Sequence, residues 1–171
     1  MNLTSELEIL GRLMLAAFLG FLIGLERELA GQPAGERTHA LTSLGAATFA
    51  LLSVNAFPGS DPARVAAGVV TGLGFLGAGM ILQGRGREVH GLTTAAGIWA
   101  VGGVGLAIGA GMYLVGIVSA VLVGFILASE RVLKTHKRMA RWRLKSAMND
   151  PAELSSIDDS GGKGTVPDRV D

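Results

Sequence analysis

Between Leu41 and Leu127 the chain carries only five charged residues, Asp61, Arg64, Arg85, Arg87 and Glu88, and all five fall in two short gaps. Long uncharged apolar runs separated by brief polar gaps are the pattern of several membrane-spanning helices. The 26 glycines point the same way. Glycine at that frequency weakens a soluble helical protein, whereas between membrane helices it lets backbones approach closely. The expected fold class is an all-α polytopic membrane protein with five transmembrane helices.

The spacing of gaps and breakers sets the expected spans. Span 1 covers Leu7 to Leu25 and ends in Glu26-Arg27-Glu28. A loop then runs to Thr38, an N-cap candidate for span 2, His39 to Phe57. Asp61 followed by Pro62 reads as N-cap and first helical residue of span 3, Ala63 to Gln83. A basic loop, Gly84 to Gly91, leads to span 4, Leu92 to Gly109, with Thr93 and Thr94 as its caps. Span 5 covers Met112 to Ser129. Gly109-Ala110-Gly111 must turn sharply, because one continuous helix would reach about 55 to 60 Å. Glu6 and Glu8 stand where a cleavable signal would carry Lys or Arg, so span 1 is expected to stay in the protein.

Lys and Arg counts orient the spans. With the N-terminus outside, eleven basic residues up to Lys145 lie on the cytoplasmic side, and Arg64 alone lies in an external gap. Three regions follow: a transmembrane domain over 1–129, a basic amphipathic helix over 130–148, and a disordered tail over 149–171. The basic residues of 131–145, opposite an apolar stripe, suit an interfacial helix on anionic lipid. Nucleic acid is not an expected partner, because charge beside a single Trp142 is thin support for it.

Little in the chain suggests an enzyme. No cysteine is present, which removes thiolate nucleophiles and Cys-ligated metals. Gly72-Leu73-Gly74-Phe75-Leu76-Gly77 matches the dinucleotide fingerprint formally, yet it lies inside an apolar span rather than between a strand and a helix. No cofactor is expected and no metal site is assigned. Spans 2 to 5 hold no carboxylate at mid-membrane depth, which counts against an active pump.

The remaining polar residues gather at the cytoplasmic rim: Glu26, Arg27, Glu28, Arg37, Thr38, His39, Arg87, His90, Thr93 and Thr94. They suit either a partner surface or solvated loops. Glu26 and Glu28 could also meet a hydrated Mg²⁺, which needs only one or two carboxylates. Arg12 reads as a snorkelling side chain helped by Glu8, or as a cation pairing with another helix. Asp61 and Arg64 are external. Gly20, Gly24, Gly68, Gly72, Gly74, Gly77, Gly105 and Gly109 are helix-packing positions, and their small-xxx-small spacing also allows a homodimer. A repeat is visible as well: Leu19-Gly20-Phe21-Leu22 resembles Leu73-Gly74-Phe75-Leu76, and His39 to Ser43 resembles His90 to Thr94. This would be a duplicated helical hairpin.

Five ordered motifs, Gly24-Leu25-Glu26-Arg27-Glu28, Arg37-Thr38-His39 with Leu44-Gly45-Ala46-Ala47, Asp61 to Ala67, Gly74 to Gly79, and Gly91 to Ala96, together resemble the MgtC/SapB membrane proteins over about residues 8 to 128. The resemblance implies a multi-pass protein of the bacterial inner membrane, linked to magnesium homeostasis or virulence and acting by binding a membrane partner. The alternative is a dimeric channel or transporter for a small ion such as Mg²⁺. Gly68 stands where the family often has Gln, and His90 where Arg or Lys is usual. In place of the soluble C-terminal domain of longer members stand the basic helix and tail, so a short, SapB-like member is the closer description.

Overall fold

In a computed structural model, residues 3–56, 59, 61–83 and 89–129 are described. They form five helices: α1 (Leu3–Leu29), α2 (Glu36–Asn55), α3 (Pro62–Met80), α4 (Leu92–Gly109) and α5 (Tyr113–Ser129). A two-residue antiparallel pair, β1 (Leu82–Gln83) and β2 (Val89–His90), sits between α3 and α4, with Leu82 opposite His90 and Gln83 opposite Val89. The expected basic helix and tail, and Arg85, Arg87 and Glu88, lie outside the described residues.

The class is all-α, and three helices are long and apolar enough to cross a membrane: Thr4–Leu29 of α1, α3 and α4. Helix α5 is apolar but shorter. Helix α2 has the length, but Thr38, Thr42, Ser43, Thr48, Ser53 and Asn55 make it more polar. Several of these side chains satisfy themselves locally. The Thr42, Thr48 and Asn55 side chains donate to the carbonyls of Thr38, Leu44 and Leu51 at 2.7 to 2.8 Å. This back-bonding is how a polar helix remains tolerable among apolar neighbours.

Helix α2 packs against α1, α3 and α4. Its buried face is His39, Ser43, Ala46, Ala47, Ala50, Leu51 and Ser53, a 3–4 spaced row of mostly small residues. Glycines of the neighbours close onto it. A Cβ on Gly20 of α1 would meet the His39 carbonyl at 2.6 Å and Ser43 Cβ at 2.8 Å, and one on Gly24 would meet the Glu36 Cα at 2.5 Å. On α4, Gly105 lies against the Ser43 backbone, and a Cβ on Gly109 would meet the Ala47 carbonyl at 2.5 Å. The core this creates is apolar: Ala16, Ile23, Ala47, Val101, Val104, Ile108, Ala120 and Leu127 from α1, α2, α4 and α5.

Several boundaries differ from expectation. Helix α1 continues to Leu29, so Glu26 to Glu28 are helical rather than loop residues. Helix α2 starts three residues early, at Glu36, and its N-cap is Gly35, with no side-chain cap from Thr38. Helix α3 stops at Met80, because Ile81 is extended and feeds the strand pair. Helix α4 is capped by Gly91 in the left-handed conformation (φ +87°) with no side-chain cap, so Thr93 and Thr94 are not its caps. Only glycine fits there, since a Cβ would strike the Met80 carbonyl. Asp61 does cap α3 as expected: its Oδ1 accepts from the Ala63 N–H at 2.9 Å, with Pro62 opening the helix. The α4–α5 turn falls at Gly109 to Gly111, where Gly111 takes φ +82°.

Candidate functional site

Two polar clusters occupy opposite ends of the bundle. The first forms where α1 ends and α2 begins. Arg27 and His39 are fully buried, as are Ser43 and, on α4, Thr94. Arg27 Nη1 lies 3.8 Å from Glu26 Oε2. The His39 Nδ1 is 3.0 Å from the Gly35 carbonyl and donates to it, which leaves Nε2 as an acceptor in the neutral ring. That Nε2 faces Gly97 of α4, 3.6 Å from where a Cβ would stand. Both Glu26 carboxylate oxygens, Glu36 Oε2, His39 Nε2 and Ser43 Oγ are buried without a hydrogen-bond partner among the described residues. Unmet buried acceptors cost roughly 1–3 kcal/mol each unless water or a ligand meets them.

The other connection reaches the same end. Ala34 of the α1–α2 loop is buried with Leu73 of α3 and Ile98 of α4, and Met80 packs against that group. The α1–α2 and α3–α4 connections therefore meet at one end of the bundle. Of the rim residues singled out from sequence, the interior takes Glu26, Arg27, His39 and Thr94. Glu28 packs against Gly35. Arg37, Thr38, His90 and Thr93 are exposed, and Arg37 Nε lies 3.7 Å from Glu36 Oε1. Glu26 and Glu28 are two positions apart on one helix, about 200° around its axis, so they do not face a common ion. Among the described residues, no three His, Asp or Glu side chains converge as metal ligands.

The second cluster centres on Arg12. Its Nη2 donates to Glu8 Oε1 at 2.5 Å, its Nη1 to the Gly109 carbonyl at 3.1 Å, and its Nε to the Tyr113 hydroxyl at 3.0 Å. The Tyr113 ring centroid is 5.6 Å from the guanidinium carbon. Arg12 thus pairs locally with Glu8 and ties α1 to the α4–α5 turn. A cation on the last carbonyls of α4 is well placed against the helix dipole.

Sequence reasoning missed Ser43, Glu36 and Tyr113. Ser43 carried a signal, because it lies on the row His39–Ser43–Ala46–Ala50 that forms the buried face of α2. The packing glycines divide sharply. Gly20, Gly24, Gly105 and Gly109 are closed in by neighbours, and Gly77 touches Ala95. Gly68, Gly72 and Gly74 have nothing within 4 Å of a Cβ position. Gly68 and Gly72 instead line an apolar cleft of about 480 Å³ between α2 and α3.

The profile of the MgtC family matches residues 13–136, which takes in the cluster at the α1–α2 junction, most of α1 and all of α2 to α5, but starts just after Arg12. The chain belongs to the MgtC family. Within it, this MgtC-family chain is 45% identical over 128 residues to YhiD of Escherichia coli K12, whose name carries a proposed magnesium-transport role; the match covers 70% of the chain and 59% of YhiD. It is 36% identical over 163 residues to SrpB of Synechococcus elongatus, covering 83% of the chain and 89% of that protein. Against MgtC of Salmonella typhimurium it is 48% identical over 101 residues, 59% of the chain and 43% of MgtC. The chain thus spans under two thirds of the length of YhiD and MgtC, and most of SrpB. No solved structure matches it.

Proposed function

We propose that this chain is a multi-pass protein of the bacterial inner membrane, crossing it five times with the N-terminus outside. In this reading it is a non-enzymatic regulatory or accessory subunit in magnesium homeostasis or virulence, working by contact with another membrane protein. The observation that carries the reading is the outward face of α3. Ala67, Thr71, Gly74 and Ala78 lie on one 3–4 spaced row and are all exposed. Only 11% of that helix is buried, against 56% of α4. Small side chains in such a row are what membrane helices use to approach one another. The mostly apolar core is consistent with this reading: among the described residues most of the buried polar groups gather towards the α1–α2 junction, with Ser43 the deepest of that group, between Gly20 and Gly105.

The positive-inside count and the shared end of the two inner connections support the orientation. The name of YhiD and its 45% identity favour a second reading, transport of a small ion. Proteoliposomes separate the two. The proposal expects Mg²⁺ movement equal to that of empty vesicles; movement above that level, abolished by Glu26→Ala, would reverse the choice. Cross-linking from position 74 in native membranes should capture another membrane protein, and capture of this chain alone would replace the partner with a homodimer.

A further inference from the structure

We propose that the cleft between α2 and α3 binds one glycerophospholipid of the bilayer, with its phosphate on Arg64 and an acyl chain along Gly68 and Gly72. This is separate from the outward row of α3 and does not depend on a protein partner.

Four observations carry it. The cleft is about 480 Å³ and its walls are apolar, Leu41 and Phe49 on one side and Val65 and Leu76 on the other. Its floor is hollow because Gly45, Gly68 and Gly72 have no atom within 4 Å of a Cβ position, so no side chain among the described residues enters it there. Thr42 is the one polar lining residue, and its hydroxyl already donates to the Thr38 carbonyl at 2.7 Å. Nothing in the trough is left to orient a polar ligand, which selects a flexible hydrocarbon chain.

The nearest charge is Arg64, beside the lining residue Val65 and one turn before Gly68. Arg64, Gly68, Gly72 and Leu76 are four residues apart in succession, a single row along α3. Arg64 is exposed and forms no ion pair among the described residues; the nearby Asp61 accepts from the Ala63 N–H through Oδ1. The first turn of α3 adds the positive end of its dipole. From Gly68 to Leu76 the trough is about 12 Å long, close to one leaflet's half of a hydrocarbon core about 30 Å thick. A cation at the head of a leaflet-length apolar trough matches an anionic phosphate followed by its acyl chain. A partner helix is the poorer occupant, since with its side chains it is about 10–12 Å across and would rest on the protruding Leu41, Phe49 and Leu76 rather than reach the glycines.

The test is native mass spectrometry of the full chain in detergent, titrated with phosphatidylglycerol and with diacylglycerol of the same chains. One phosphatidylglycerol should be retained per chain, and diacylglycerol should bind about tenfold more weakly, the scale of one charged hydrogen bond. Arg64→Gln should abolish that difference, and Arg64→Lys should keep most of it. Gly72→Leu should remove both lipids while leaving the thermal midpoint in place; Gly45→Leu, which fills the opposite wall, repeats the test should the first variant fold poorly. Equal retention by wild type and both filled variants overturns the proposal. So does equal binding of the two lipids, or loss of copy-to-copy cross-linking in Gly72→Leu with lipid retention unchanged.

Discussion

The hairpins α1–α2 and α3–α4 share a sequence pattern and are used differently. In the first, Gly20 sits against the His39 carbonyl and Ser43, and the buried polar cluster forms at its closed end. In the second, Gly74, the counterpart of Gly20, faces open space, and α3 meets α4 on another face, through Leu73 with Gly102 and Gly77 with Ala95. One hairpin spends its small residues on its own fold. The other leaves Gly68, Gly72 and Gly74 of α3 open, so the same motif serves stability in one place and remains available for outside contacts in the other.

The largest effect should come from the closed end of the first hairpin. Arg27→Ala removes a fully buried cation 3.8 Å from the Glu26 carboxylate and leaves that charge buried beside an empty space. Breaking a buried pair on one side costs about 3–5 kcal/mol. We expect a loss of that size in denaturant unfolding from detergent, with Arg27→Met plus Glu26→Gln recovering part of it. A loss below about 1 kcal/mol for Arg27→Ala would mean that the first hairpin is not held by this cluster.

Next comes the glycine contact itself. Gly105→Leu drives a side chain into the Ser43 backbone, which cannot swing aside as a side-chain tip could. Overpacking of this kind costs about 1–3 kcal/mol, and the upper end is expected here. Thermal unfolding followed by circular dichroism reads it directly.

How much of this was legible follows from which forces the residues report. Apolar runs, Asp61-Pro62 and the Gly109 to Gly111 turn gave the helices and most of their boundaries, because each is a local signal. The start of α2 and of α4 was not legible in that way. Gly35 and Gly91 cap those helices through tertiary fit, Gly91 because Met80 presses against it, and the neighbouring threonines drew attention as better local caps. Glu26 and Glu28 looked like a pair in a loop, but three more residues of helix turned them apart. The burial of Arg27 was hidden too, since a charged residue after an apolar span reads as solvated. Whether a glycine is filled or open depends on which helix lies opposite, and spacing alone does not reveal that.

A smaller effect is expected at the other end of the first hairpin. Arg12→Met keeps the apolar stem but loses the bonds to the Gly109 carbonyl and Tyr113. With Arg12 partly exposed, about 1–2 kcal/mol is the scale for a helix-end cation with a hydrogen bond to a neighbour. Tyr113→Phe, which removes one of these bonds, should lose a fraction of that amount. If Arg12→Met leaves the thermal midpoint unchanged, the tie between α1 and the α4–α5 turn contributes nothing, and the first hairpin is held from its α1–α2 junction alone.

The smallest effect on stability is also the one that tests the comparison most directly. Gly74→Leu adds a side chain where nothing stands within 4 Å of the Cβ, so the isolated chain should lose less than about 0.5 kcal/mol. Replacing a helical glycine even removes some conformational cost. Its counterpart Gly20→Leu, at the equivalent place in the first hairpin, should lose several times more, because the His39 carbonyl and Ser43 occupy the site. The same Gly74→Leu should reduce co-purification of any membrane protein captured through the outward row of α3. Equal stability losses at positions 20 and 74 would mean that the two hairpins pack alike and that α3 has no open face. A neutral Gly74→Leu with undiminished capture would leave the asymmetry between the hairpins in place and move the contact surface away from α3.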